Sequence, residues 1–403
     1  MSKKTAFVGN MNNMPYMFSR EMRKKNKDVI LYVDAPPDYE LDRPEAYDKT
    51  LSYPYPDWIK EIPPTGIKHF HKLRLANFFY GKLIEELNTC DVIVLNGIWI
   101  ILASYLSEKP KIYALCAGYE IDTLTDLLNL NNLVKYALEK KPLLYPFKFL
   151  LKFYYKKAVT QYREGIARSD GINYYPSGIS KRGDEIIAAI KAGKKHKRLE
   201  LRGFATDDFK YSSVDVNKDV FTILNFTRFF FVDEDHANKR NDIMLEGIGL
   251  FLREIDFKEN VEILFFDKGD KQSLIKAREI IEQQGYTKFV TWLGEVSQDE
   301  LFNEIVPKCD VAFDQLGGQW IGAGAFVMAM GRPVIANGRP EIFEPLTGEV
   351  SPVCQAATPE EVCFWLKKLY FDRTEINRIG LESKNYIQKH YSIENTINFF
   401  SCK

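Results

Sequence analysis

Between Asp314 and Ala336 the sequence DQLGGQWIGAGAFVMAMGRPVIA runs a glycine-rich loop into a helix of small residues and out through Gly331-Arg-Pro-Val334. The glycines from Leu316 to Gly324, among them Gly317 and Gly318, let backbone N–H groups approach an anion closely. A helix that follows turns the positive end of its dipole toward the same place. The chemistry that suits such a loop is the holding of a sugar diphosphate. A packed helix–strand turn with glycines chosen for sterics has the same pattern, so other residues must decide.

Two cations supply charge of the right sign. Arg228, in Asn225-Phe-Thr-Arg228, and Lys239, in Lys239-Arg-Asn-Asp242, follow the first strand-like run of the second half. A departing nucleoside diphosphate gains negative charge, and fixed cations stabilise it more in the transition state than in the ground state, in place of a metal. The competing reading makes Arg228 a strand cap and Lys239 the start of an exposed helix. Glu120, in Ala117-Gly118-Tyr119-Glu120-Ile121-Asp122, stands between a strand and a helix, where it can orient an acceptor hydroxyl or steady a glycosyl cation. It is equally placed to be a first-turn carboxylate that the helix dipole stabilises. His69 and His71 lie in Lys68-His-Phe-His-Lys72 with no clustered carboxylate or cysteine, so no metal is assigned to them.

These residues need a scaffold that brings several strand ends together. The 403 residues imply about two domains, and short apolar runs alternate with helical patterns throughout, as in βαβ units with a buried parallel sheet. The first half offers strands at Thr5–Val8, Val29–Val33, Val92–Leu95, Ile112–Cys116, Ile172–Tyr175 and Leu199–Leu201. The second offers Thr222–Phe226, Glu262–Phe266, Phe289–Trp292, Val311–Phe313 and Val334–Ala336. The expected fold is α/β, with two Rossmann-like, doubly wound domains facing a cleft and ligands at the carboxyl ends of their strands. Residues 1–203 form the first domain and 204–374 the second. The segment 375–403, helical over about Glu375–Lys389, crosses back to the first.

With the order of elements in view, the motifs resemble those of GT-B glycosyltransferases, particularly the retaining family 4 enzymes that use nucleotide sugars, over nearly the whole length. Gly9-Asn10 matches that fold's opening glycine loop, and Arg202-Gly203-Phe204-Ala205-Thr206-Asp207-Asp208-Phe209 its interdomain linker. Asn225 to Arg228 with Lys239 resembles its first donor-domain loop, and Gly331-Arg-Pro-Val334 its Gly-Lys-Pro-Val turn. The resemblance implies that Arg228 and Lys239 flank the diphosphate and that the Gly269 loop lies beside the nucleotide. It also implies that the donor is a nucleotide sugar acting as substrate, with no cofactor. Gly294 and Glu295, after another strand, border the base. Family members carry a glutamate at the start of the helix and another eight residues earlier, where this chain has Phe326 and about Gly318. A branch with an Asp-Gln pair upstream is matched by Asp314-Gln315, which are expected to contact the sugar or ribose. Gly118, Tyr119 and Glu120 fall on the acceptor side, and a front-face reaction with the leaving phosphate as base needs no carboxylate nucleophile.

Composition bounds the partners. Lys plus Arg and Asp plus Glu each total 55, so no global field calls for nucleic acid. The six cysteines form no CxxC pair, which fits a reduced cytoplasmic compartment. No export segment is visible at Met1-Ser-Lys-Lys, and no apolar run is long enough to span a bilayer. One local excess stands out: residues 135–157 interleave seven lysines with leucine and aromatics. That segment is either an anionic membrane interface or a helix pair whose lysines form a wet face. The expected protein is a cytoplasmic glycosyltransferase, free or peripheral on the inner face of the membrane, acting on a glycan or lipid-linked glycan. A nucleotide-sugar-binding scaffold without turnover is the alternative, and a nucleotide-sugar epimerase ranks last.

Overall fold

The computed structural model describes residues 3–34, 42–63, 70–118, 120–193, 196–231, 238–317 and 322–400. The chain forms two compact units, Met1–Phe204 with Ile393–Lys403, and Ala205–Ser392.

In the first unit the strands are β1 (Lys4–Val8), β2 (Asp28–Val33), β3 (Ile59–Glu61), β4 (Val92–Asn96), β5 (Lys111–Leu115), β6 (Gly171–Asn173) and β7 (Lys197–Leu199). They form one parallel sheet in the order β3-β2-β1-β4-β5-β6-β7. All five residues of β4 are buried, as a strand covered by helices on both faces must be, and its Val-Ile-Val-Leu run meets that demand. The first sheet also holds the chain's far end. Helix Ile393–Phe400 buries Phe400 against Phe7 and Tyr113, with ring centroids 5.9 and 5.6 Å away, and the Thr396 hydroxyl accepts the Gly203 N–H at 2.7 Å. Helix Arg373–His390, by contrast, belongs to the second unit.

The second unit has β8 (Phe221–Asn225), β9 (Val261–Phe266), β10 (Val290–Leu293), β11 (Val311–Phe313), β12 (Val334–Ala336) and β13 (Cys354–Gln355), parallel in the order β10-β9-β8-β11-β12-β13. Numbered from its own first strand, each sheet runs 3-2-1-4-5-6, with a seventh strand added at the end of the first sheet; this is the doubly wound order whose direction reverses between first and fourth strands. Edge strands β3 and β13 have no counterpart in the sequence-based list. They are three and two residues long, half-exposed at Lys60 and Gln355, and carry no apolar run.

One buried ion cluster fixes the amino ends of the central pair. Asp310, fully buried just before β11, accepts the Thr222 N–H of β8 at 2.7 Å and pairs with Lys218 at 2.8 Å and Arg373 at 3.2 Å. Removing the carboxylate leaves two partly buried cations and a buried N–H without this partner. Asp310→Ala is expected to lower the second unit's unfolding free energy by about 3 kcal/mol, read from urea denaturation followed by circular dichroism. A loss below about 1 kcal/mol, the range of an exposed pair, contradicts that role.

Candidate functional site

The reversal point of the second sheet lies between β8 and β11, whose register pairs Phe313 with Asn225. The residues that follow these strands therefore emerge side by side at the carboxyl edge. Asn225, fully buried, accepts from the Thr227 hydroxyl at 2.8 Å and tightens the turn that leads to Arg228. The Phe229 N–H donates to the Lys268 carbonyl at 2.7 Å, tying the β8 loop to the β9 loop. The Leu316 N–H donates to the Lys239 carbonyl at 3.1 Å, tying the segment before helix Asn241–Glu254 to the β11 loop. Three loops are thus joined by backbone bonds.

Gly317 is the point of closest approach. A Cβ there would lie 1.9 Å from the Asn238 carbonyl oxygen, so no other residue fits. The Gln315 carbonyl accepts the Asn337 N–H at 3.0 Å, linking the β11 loop to the end of β12.

Asp314 does not project into open space. It is 5 % exposed, and one carboxylate oxygen accepts the N–H of Gly322 at 2.8 Å and of Gly324 at 2.7 Å. Two of the glycine-loop donors expected to face a ligand are therefore spent on the chain's own carboxylate at the start of helix Gly324–Ala329. Burial pushes the Asp314 carboxyl above the usual range, while Lys239 and these N–H groups oppose the shift. Burial likewise lowers the Lys239 ammonium, with Asp314 holding it up and Arg228 and Lys268 pushing it further down. Lys239 is partly buried, Arg228 and Lys268 are exposed, and among the described residues none of the three has a carboxylate at ion-pairing distance. Lys268 is the residue that motif reading passed over; its place in Asp267-Lys-Gly-Asp270, directly after β9, was the available signal.

Phe326 stacks on Phe209 at 4.7 Å between centroids and meets Phe302 edge-on at 5.9 Å. The position of the expected glutamate is thus part of an aromatic trio. Arg332, fully buried, donates to the Ser212 hydroxyl at 2.9 Å and the Pro307 carbonyl at 2.7 Å, so the Gly-Arg-Pro-Val turn fastens the linker. Gly269 is pressed against Phe229 in a parallel bridge. Gly294 and Glu295 are exposed beyond β10, two strands from β8 and hence about 10 Å away by strand spacing. Gly318, Tyr119 and His69 lie outside the described residues, as does the His71 side chain.

In the first unit the corresponding reversal point lies between β1 and β4. Gly9 has φ +86° and a Cβ there would sit 2.8 Å from Trp99, which explains its type. Asn10, 1 % exposed, organises the loop: its amide donates to Asn13 at 2.6 Å and to the Asp42 carbonyl at 2.7 Å, and its oxygen accepts the Tyr16 N–H at 2.9 Å. Glu120 is fully buried, and its two oxygens accept the N–H groups of Ala117 at 2.8 Å and Gly118 at 2.7 Å. Burial raises its carboxyl, opposed by those bonds and by Arg202. Gly118 packs where a Cβ would come within 2.7 Å of the Tyr175 hydroxyl. Asp122 accepts from Tyr174 at 2.7 Å and Ser180 at 2.9 Å. The sequence reading did not single out Asp34, at the end of β2, whose carboxylate accepts the Trp99 indole N–H at 2.7 Å.

No protein-family model matches the chain, and no curated protein matches its sequence. Solved structures match it along almost its whole length. A glycosyltransferase from Rickettsia africae superposes with TM-score 0.63 at 12 % identity, covering 99 % of this chain and 97 % of that one. Anabaena HepE, in complex with UDP and glucose, gives 0.60 at 13 % identity, covering 98 % and 97 %. Sucrose-phosphate synthase from Thermosynechococcus elongatus gives 0.60 at 12 % over the same shares. The chain has the GT-B fold. Within that GT-B architecture the Arg228, Lys239 and Lys268 cluster occupies the reversal point of the second Rossmann-like sheet, where doubly wound sheets bind ligands.

Burial pushes the Asp34 carboxyl up to about 6 from 3.8, with the Trp99 bond opposing. A raised carboxyl contributes stability that is present below the unfolded value and lost as pH rises through the folded one. Relative to Asp34→Asn, the natural chain is expected to lose about 3 kcal/mol of unfolding free energy between about pH 4 and about pH 7. Parallel urea-unfolding curves for the two proteins check this. Equal pH dependence contradicts a dry Asp34.

Proposed function

We propose that the chain is a glycosyltransferase moving a sugar from a nucleotide-sugar donor to a glycan or lipid-linked glycan, with retention of anomeric configuration and without a metal. The observation that carries the reading is the trio Arg228, Lys239 and Lys268. These cations sit at the carboxyl edge of β8, β9 and β11, in loops locked together by backbone bonds, without paired carboxylates among the described residues. Mutual repulsion makes such a cluster costly in an empty protein, and an anion relieves it. A diphosphate leaving group gains charge as the glycosidic bond breaks, so preorganised cations lower the barrier most where that charge develops.

On this reading Arg228 and Lys239 carry the catalytic and donor-binding charge, joined by Lys268. Asp314 and Glu120 shape their loops rather than take part in nucleophilic chemistry. That division suits a front-face reaction in which the leaving phosphate takes the acceptor proton. HepE was crystallised with UDP-glucose, which makes uridine diphosphate the first nucleotide to try. The first unit serves the acceptor. The reaction is cytoplasmic, and a lipid-linked acceptor places it on the inner face of the membrane, with residues 135–157 as the contact. Phe326, stacked on Phe209 in place of a glutamate, favours a second reading: a nucleotide-sugar-binding scaffold without turnover.

Calorimetry and turnover assays with a panel of nucleotide sugars separate the two. Arg228→Ala and Lys239→Ala are each expected to weaken donor binding about tenfold to a hundredfold, the range for a hydrogen bond to a charged group. Binding and transfer that survive both substitutions contradict the diphosphate site. Tight binding with neither transfer nor hydrolysis, whatever acceptor is supplied, selects the scaffold.

A further inference from the structure

One surface of the first unit is left unexplained by donor chemistry. Helix Leu130–Lys140, the turn Pro142–Phe147 and helix Lys148–Arg168 form a continuous elbow. The turn buries no residue at all, and the second helix buries nothing until Ala158. Nearly three helical turns therefore present one face of side chains that the unit does not cover, while Leu151, Tyr154 and Tyr155 are partly buried on the other. Those side chains are apolar to an unusual degree: Leu143 is 91 % exposed and Phe149 80 %, with Tyr145, Phe147, Leu150 and Phe153 all more than half exposed. Contiguous apolar surface of this kind on a folded chain marks a place where something else sits.

The charge beside it says what. Residues 135–157 hold seven lysines against the single carboxylate of Glu139, a formal excess of six positive charges in a chain whose total is zero. On the second helix Lys148, Lys152 and Lys156 stand four residues apart in one row. Phe149 and Phe153 form the adjoining row, with Leu150 beside them. Lysine stems can lie along the aromatic rings, as Lys157 does over Phe153 at 4.6 Å and Lys140 over Tyr136 at 4.5 Å, which leaves the ammonium groups at the rim of the apolar patch. A second copy of this chain is a poor occupant, because a twofold contact would press two such basic surfaces together. Among the described residues no helix is long and apolar enough to cross a membrane, so the elbow does not span one.

We propose that this elbow is an interfacial anchor for anionic lipid bilayers. Leu143, Tyr145, Phe147, Phe149, Leu150 and Phe153 enter the headgroup–acyl boundary while the lysine row meets phosphate headgroups. The inference deepens the membrane contact proposed above for residues 135–157, while its observations belong to this surface alone, so vesicle binding can fail with donor binding intact. It makes binding depend on two separable contributions. Apolar insertion is insensitive to salt, and lysine attraction, worth about 1 kcal/mol per residue near an anionic surface, falls with ionic strength.

The test is flotation of the full chain with vesicles of phosphatidylglycerol mixed with phosphatidylcholine, and with phosphatidylcholine alone. The chain is expected to float with the anionic vesicles and far less with the neutral ones, and added salt should release most of it. Lys148→Ala, Lys152→Ala and Lys156→Ala combined should reduce partitioning about a hundredfold. Phe149→Ser, Leu150→Ser and Phe153→Ser combined should abolish it. Unchanged circular dichroism and unchanged nucleotide binding in both triple variants show that fold and donor site are intact. No flotation with anionic vesicles, or flotation that either triple variant leaves unchanged, overturns the proposal. So does a dimer in sedimentation that the apolar triple variant dissolves, since the patch would then belong to a second copy.

Discussion

The carboxylate of Asp314 is held in a nearly dry position at the end of β11 by two N–H groups of its own loop and by the field of Lys239. Much else depends on that arrangement. It fixes the start of helix Gly324–Ala329, ties Gly322 and Gly324 to the end of β11, and partly offsets Lys239 without pairing with it. The Lys239 carbonyl in turn anchors the same loop through the Leu316 N–H. Glu120 performs the same task after β5, accepting from Ala117 and Gly118. In both units a carboxylate that the sequence offers as a chemical group shapes a strand-end loop, Glu120 through both oxygens and Asp314 through one. A carboxylate so bonded is a poor nucleophile and a poor base, because moving it would leave backbone donors unsatisfied.

What remains for chemistry at the second reversal point is positive charge. Arg228 and Lys268 project from the β8 and β9 loops, which the Phe229–Lys268 bond holds together, and Lys239 lies beside Asp314. Cations placed by backbone geometry need no reorganisation when a ligand's charge grows, and that is the economy a diphosphate leaving group exploits. The chain's overall neutrality conceals two such local excesses, one small and at the sheet edge, the other broad and lysine-rich on the elbow of the first unit. They differ in their surroundings. The first is framed by glycine turns and buried amides, the second by exposed rings and leucines.

Much of the fold was legible in the sequence because parallel strands buried on both faces read as apolar runs. β11 and β12 fall at their expected residues, β1 begins one residue earlier, β4 ends one later, and β8 is shifted one residue toward the start of the chain. Edge strands β3 and β13 were not legible, since a short strand with one open side has no apolar run to show. The cations Arg228 and Lys239 were legible from their place after a first strand; Lys268 had the matching signal of its place after β9, but only the β8–β9 loop pairing brings it to them. The inward turn of Asp314 and Glu120 was also hidden. Sequence shows a carboxylate near a helix start, but only the loop's path decides whether its oxygens meet their own backbone or solvent. Phe326 was recognised as a departure from a glutamate, and its reason, the stack on Phe209, lies 117 residues away in the chain.

The central claim is that a nucleotide diphosphate binds at the β8–β11 reversal point of the second unit. Hydrogen–deuterium exchange with and without uridine diphosphate tests it most directly. The account predicts slower exchange in the loops that follow β8, β9 and β11, including the amides around Arg228, Lys239 and Lys268, with the β1 and β5 loops of the first unit unchanged. Protection confined to the first unit, or exchange unaltered at saturating concentrations of every nucleotide diphosphate tried, contradicts it.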